Sequence, residues 1–455
     1  MISWFDRSVA TRAGAAGALA ALLVSCGGGE STSPQQNSES PSQKNVELHF
    51  CLSDYPVWVA MQRSGADWTR VLPDADHVFR MALGSAGGVT IVWSDPSTVV
   101  LYASAAELNE GFKTCQDAQT VGKTVSGTVA GVPASDVTYV ALGPADGIPA
   151  IGDSLFVVQN VPDGPRDLFA AHGTVAGSAL AFSEFILRRG VNVAANGVIP
   201  RLDFHSSEAF PAATASLAIA NFASAPSLSV DLITATGVEE PLYFGAAGAQ
   251  QTVIGLPSAR LTAGDLHRIG VTEPLPQGTS PGGSRFIDTY TAELTNRTIT
   301  LGAQLAQPTM SILSSSPYQR WRVLLPVQSE YTQYADMEFD DANGRSIFVL
   351  VTRGFGAPGT AWDLTMPDLK NTSYDVTWGL QPGGTPTWIV GAFGGGGTAF
   401  QNPADGSVVN GSVLYKLSGS SDRVAETAAM ATSSPSMQRR RSLRQSIRLG
   451  LAQRR

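Results

Sequence analysis

The sequence predicts an all-β protein made of tandem antiparallel, β-sandwich-like modules, and three observations carry that prediction. Charged residues make up 15% of the 455, against about a quarter in typical domains. The 47 glycines and 27 prolines, with abundant Ser, Thr and Val, occupy that share. This composition suits short strands joined by turns better than long charged helices. Apolar residues also alternate with polar ones in runs of about five, separated by turn signals at short, regular spacing. The length allows about two to four domains with sizeable cores.

The elements follow in chain order. Arg7 and Arg12 precede an apolar run from Ala13 to Val24, too short to span a bilayer comfortably and suited to an export signal over residues 1–25. The run ends in Leu23-Val24-Ser25-Cys26. This resembles the lipobox of bacterial lipoproteins. The resemblance implies a diacylglyceryl thioether on Cys26, cleavage before it, and membrane lipid as a partner. An ordinary secretory signal followed by a free thiol is the alternative. Gly27 to Lys44 contains no aliphatic or aromatic residue, so residues 26–45 are expected to form a disordered tether with a reach of about 24 Å. Gly27 is not the aspartate that retains many lipoproteins in the inner membrane. The expected location is therefore the cell envelope, at the outer membrane.

With Cys26 assigned to lipid, Cys51 and Cys115 remain, and two cysteines in an exported chain suggest one bridge. Two separate buried thiols are the other reading. Residues 46–120 form the first β module. Its runs begin at Val57, Trp68, His77, Gly88 and Val99, and a helical turn is expected over Ala105–Phe112. Trp58, Trp68 and Trp93 are candidates for a ligand-stacking platform, although aromatics that alternate in strands more often fill a core.

Residues 121–200 contain Lys123–Gly131, Asp136–Leu142 and Ser154–Ala171. Within the last run, Phe156, Val158, Val161, Pro162, Gly164, Leu168 and Ala170 match the pattern F-x-F-x-N-V-P-x-G-x-Y-x-L-x-A. The segment resembles the carboxypeptidase-regulatory-like, transthyretin-like β-sandwich. That resemblance implies a non-catalytic module. Asp167 departs from it, because an aromatic is common there.

The β pattern continues through modules at 201–282 and 283–420, divided at the SPGGS stretch around Gly282. The clearest hairpin joins Tyr331–Phe339 to Ser346–Thr352 through a turn containing Asn343-Gly344. Asp336, Glu338 and Asp340 share one strand face and, with Asp341, are candidates for a Ca²⁺ site. A solvated strand face with an Asx turn is the competing reading. Gly391–Gly397 reads as a flexible loop.

Residues 421–455 form a basic tail. Arg439, Arg440, Arg441, Arg444, Arg448, Arg454 and Arg455 bring +7, and Leu443, Ile447 and Leu451 recur every four residues. Such a tail, helical or disordered, would be drawn to anionic envelope components. With +7 in the tail and +1 in residues 1–25, the net −8 leaves −16 on residues 26–438, which argues against nucleic acid as a partner of the folded body.

The five histidines, His49, His77, His172, His205 and His267, are scattered singly. Neither a nucleophile elbow, a zinc-protease helix nor a phosphate loop is present in the sequence. The expectation is therefore a lipid-anchored, non-enzymatic envelope protein that binds a protein or glycan, with no cofactor. The alternative is an exported hydrolase with a dispersed Ser/His/Asp or metal site, for which Asp203 and His205 offer an acid and a base.

Overall fold

The computed structural model describes residues 45–416 apart from 51–54, 113–121, 147–149, 153, 177–178, 195, 236–238, 277–280 and 397–403. Cys26, Cys51, Cys115 and Arg439–Arg455 lie outside the described residues, as do the leader and the tether. The fold is all-β, with 57% strand and 4% helix.

One 18-stranded sheet runs through the molecule as a spine. From one end its strands are Thr69–Val71, Trp58–Arg63, Ala86–Val92 and Ser97–Ser104. Next come Ser346–Thr352, Tyr334–Asp340, Thr387–Gly395 and Val408–Lys416. Gly282–Thr291, Leu266–Pro274, Ser227–Ile233 and Glu239–Ala246 follow. Ala179–Val191, Arg166–Ala176 and Val137–Leu142 complete the long strands. Among the described residues, four smaller layers pack on this spine, three of them three-stranded and one two-stranded.

The run Ser97–Ser104 pairs in parallel with Ser346–Thr352, and both strands are buried on both faces. Val100, Tyr102, Ile347, Val349 and Val351 enter one core with the layer Thr309–Ser314, Arg320–Pro326 and Ala361–Thr365. Val99, Leu101, Phe348 and Leu350 enter another beneath Asn45–His49, Val78–Ala82 and the helix Ala105–Gly111. Continuous apolar runs such as STVVLYAS and SIFVLVT are what two covered faces require. The first and last parts of the described chain thus share their cores. The helix begins at a full capping box, with Ser104 and Glu107 bonding each other's backbone reciprocally.

In the segment that resembles the regulatory-like sandwich, Phe156, Val158, Val161, Leu168 and Ala170 all enter one core with Val125, Val140 and Ile186. Gly164 occupies the turn between its strands at φ +88°, a region glycine enters without a Cβ penalty. The strands Val137–Leu142, Arg166–Ala176 and Ala179–Val191 turn their other face, including Tyr139, Phe169 and Phe185, into the core of the neighbouring layer.

Asp167 has a specific task at its departure from the family pattern. Its carboxylate is buried and accepts from Gly190 N at 3.1 Å and from Arg189 Nη1 at 2.7 Å. Arg189 Nη2 also reaches Asp265 Oδ2 at 2.5 Å. One guanidinium therefore ties the 121–200 segment to the start of the strand Leu266–Pro274. A second buried pair, Arg285 and Glu273 at 2.6 Å, holds the loop at Ala223 and Ser224, whose N–H groups donate to Glu273 Oε1.

Two sequence expectations need correction. Gly391–Gly395 is the end of the spine strand Thr387–Gly395 and not a loop. A Cβ on Gly391 would lie 2.8 Å from Asp336 Oδ1, and one on Gly394 would overlap the Glu330 carbonyl. Close backbone approach therefore explains the glycines. The strand Tyr334–Asp340 alternates as read, with Ala335, Met337 and Phe339 in the core. Its opposite face is not solvated, however, since Asp336 and Glu338 are buried.

His267 is fully buried, and its Nε2 accepts from Leu256 N at 2.9 Å. Burial is the largest effect on its pKa and lowers it to about 4, partly opposed by the Thr291 and Ala292 backbone. Between pH 6.5 and about 4 the unfolded chain takes up a proton that the folded chain refuses. Stability therefore falls as pH drops through that window, by about 3 kcal/mol from this group. Urea melts from pH 7 to 4 should show that loss, and His267→Gln should show a shallower pH slope. Equal slopes for both proteins would refute the assignment.

Candidate ligand-binding cleft

The sequence-predicted candidates are dispersed. Trp58, Trp68 and Trp93 are 2%, 9% and 8% exposed, and Trp93 belongs to a different core from the other two. They are core residues and do not form a surface platform, because the layers on both faces of the spine cover them. Asp336, Glu338 and Asp340 are successive same-face positions of one strand, so neighbours are separated by about 7 Å along it. Glu338 Oε1 accepts from Ser346 Oγ at 3.2 Å. Asp341 organises the turn, accepting from Asn343 N, Arg345 N and Gln381 N at 2.8, 3.0 and 3.0 Å. Among the described residues, no three His, Cys, Asp or Glu are grouped to hold a metal ion.

The histidine–acid arrangements are structural as well. Asp203 Oδ1 accepts from the backbone N of His205 at 3.0 Å, and the His205 ring is exposed. His172 lies between Asp136 and Glu184, with Nδ1 2.8 Å from Asp136 Oδ2 and Nε2 3.0 Å from Glu184 Oε2. Its ring stands edge-on to Phe204 at 4.7 Å. Both ring nitrogens face carboxylates, so neither is presented to a hydroxyl nucleophile.

A cleft of about 470 Å³ opens where the hairpin Trp58–Arg63/Thr69–Val71 meets the chain after Ala361–Thr365. On the hairpin side the turn is closed by Ala66 N donating to Arg63 O, with Gly65 at φ +75°. Gln62 Nε2 donates to Ala66 O at 2.9 Å. Trp68 lies over Gly88, where a Cβ would come within 2.7 Å of its ring, and meets Tyr102 edge-on at 6.1 Å. Tyr102 donates its hydroxyl to Thr365 O at 3.1 Å, and burial raises its pKa, which keeps that proton in place.

The opposite wall is the 366–372 loop. Arg320 fixes it from below, with Nε donating to Pro367 O at 3.0 Å and Nη2 to Met366 O at 3.2 Å. Leu369 N donates to the Tyr318 hydroxyl at 2.9 Å, and Thr372 Oγ1 to Leu369 O at 2.6 Å. Asp368 lies 3.1 Å from Lys370 Nζ and 3.4 Å from Arg320 Nη1. Burial acts to raise the Asp368 pKa, but the hydrogen bonds from Lys370 and the charges of Arg320 and Lys370 outweigh it, so the pKa is lowered.

The cleft is thus lined by amides, hydroxyls, an indole and four charged side chains, of which Asp368 pairs with both Arg320 and Lys370. Such a lining complements a neutral ligand rich in hydroxyls. Of the three tryptophans singled out in the sequence as ligand-stacking candidates, Trp68 lines this cleft and Trp58 and Trp93 do not. Arg320, Asp368, Lys370 and Asn371 carry no local sequence signal that sets them apart from ordinary turn and strand-end residues.

No family model matches the chain, and no curated protein matches it. Among solved structures, the Bacillus anthracis TIE protein aligns at 6% identity with a TM-score of 0.13, covering 57% of this chain. The chain spans half the length of that structure. Among the described residues, no helix is long and apolar enough to cross a membrane.

Proposed function

We propose that this is a lipid-anchored envelope protein that binds a neutral glycan, non-enzymatically, in the cleft between Trp68 and the 366–372 loop. The observation that carries the glycan assignment is the lining of amide, hydroxyl and indole groups, with Arg320 and Lys370 both paired to Asp368, on a wall held by Arg320. The Leu-Val-Ser-Cys signal supports attachment through Cys26, at the outer membrane. The basic tail at Arg439–Arg455 would add attraction to anionic envelope components.

Two finer readings belong to the same proposal. The core positions of Phe156, Val158, Val161, Leu168 and Ala170 support a regulatory-like sandwich in 121–200. His49 N donates to Phe112 O at 3.1 Å, and the Phe50 and Phe112 rings are 5.5 Å apart. The described residues that lead into Cys51 and Cys115 therefore lie side by side, which supports a bridge between them.

The test is a panel of soluble envelope glycans titrated against the protein. Saturable binding is expected, with at least about ten-fold loss in Lys370→Ala and Asn371→Ala, equivalent to about 1.4 kcal/mol. Both residues are exposed, so melting should not change. Binding that ignores both substitutions would place the site elsewhere, and turnover of the glycan would replace the binding role with an enzymatic one.

A further inference from the structure

We propose that the basic segment Arg439–Arg455 folds back onto the middle of the spine and docks on one of its faces. One side of the spine is covered along its length by two cores. The other side has a core at each end, under the layers Asn45–His49/Val78–Ala82 and Lys123–Ala130/Ser154–Val161. Between those ends, register places Asp336, Gly391, Val413 and Ser284 in one row and Phe393, Gly411 and Phe286 in the next. A Cβ on Gly411 would touch the rings of Phe393 and Phe286, and one on Gly391 would touch Asp336 and Phe393, so these side chains lie across the glycines. Asp336 and Phe393 are buried, yet no side chain of the two rows enters any of the four cores. Among the described residues, no layer covers this stretch.

Charge and chain path select the occupant. The six strands of this face, from Tyr334–Asp340 across to Ser227–Ile233, present Asp231, Asp288, Asp336, Glu338 and Asp340 on it. Among the described residues, Arg268 is the basic side chain they set against these five acids, and it is already held by Asp231 and Glu239 at 3.0 and 3.1 Å. Arg439–Arg455 carries seven arginines and no acid, with Leu443, Ile447 and Leu451 spaced among them. A cationic segment with an apolar row complements an acidic face floored by Phe286, Phe393 and Val413. The last described residue, Lys416, ends a strand in the middle of this face, and the Tyr415 ring beside it lies over Gly282. Residues 417–438 can extend to about 75 Å, against about 15 Å from that strand to the farther margin of the face. Anionic envelope components and this face then compete for the same arginines.

The experiment places a photo-crosslinking benzophenone amino acid at position 447 of the full chain, purified in neutral detergent, and maps the adducts by peptide mass spectrometry. At low ionic strength, adducts within one chain are expected on Val408–Lys416 and its neighbours Thr387–Gly395 and Gly282–Thr291. Salt at about 1 M, where the Debye length is about 3 Å, should lower their yield at least about ten-fold. The double substitution Arg444→Glu and Arg448→Glu should do the same at low salt, and it leaves every described residue unchanged. Adducts on another face, adducts only between chains or with detergent, no adduct at all, or a yield that ignores the charge reversal would overturn the proposal.

Discussion

Arg189→Ala is expected to destabilise the protein by about 3–5 kcal/mol, because it leaves buried carboxylates without their counter-charge. Asp167 and Asp265 have side chains 3% and 0% exposed, and both depend on this one guanidinium. Arg189 Nη2 also donates to Arg260 O at 3.0 Å. Asp265 retains hydrogen bonds from Ala235 N, Thr262 N and Thr262 Oγ1, so Asp167 carries the larger share of the loss. Arg189→Lys keeps the charge but cannot span both acids with a planar fork, and it should recover only part of the stability. Chemical denaturation of the three proteins checks this ordering. A wild-type midpoint for Arg189→Ala would mean that the clamp contributes no net stability.

The clamp also shows where sequence reasoning stops. Asp167 was visible as a departure from the regulatory-like pattern, yet its cation Arg189 lies 22 residues away, and the second acid on that cation, Asp265, a further 76. Local alternation located most strands well. The hairpin around Asn343-Gly344 forms with Asp340 opposite Ser346, and the helical turn after Ser104 is present with its capping box. What alternation cannot report is what covers the second face of a strand. Asp336 and Glu338 look solvated in sequence because they are charged, and they are buried. Gly391–Gly395 looks like a loop because glycine is a poor strand former, although carboxylate and carbonyl groups there leave no room for a Cβ. The parallel pairing of Val99 with Phe348 joins residues nearly 250 positions apart and leaves no local trace. The cleft is formed across that same join. Its residues come from the first hairpin, from Arg320 and from the 366–372 loop, so only Trp68 stood out beforehand.

Cys26→Ala should move the protein from the membrane fraction to the soluble fraction and abolish incorporation of labelled fatty acid. The expected change is close to complete, since stable anchoring requires two or more chains and the tether contains nothing apolar to replace them. The basic tail would leave at most a salt-sensitive residue of membrane association, which washing at high ionic strength removes. Cys26→Ala also leaves Cys51 and Cys115 as the remaining cysteines, so denatured, unreduced protein should present no free thiol. A bridge closing a loop of about 65 residues would contribute roughly 4 kcal/mol in the chain-entropy view. Two reactive thiols would rule out the bridge, and unchanged fractionation without acyl label would rule out the anchor.

The cleft beside Trp68 is proposed to receive a neutral glycan. The most direct test is a titration of the soluble Cys26→Ala protein with envelope glycan fragments, followed by amide chemical shifts. Saturable shifts are expected, confined to Gln62, Trp68, Thr365 and the 366–372 loop, with at least about ten-fold weaker binding in Asn371→Ala. Shifts centred elsewhere on the spine, or none with any fragment, would contradict it.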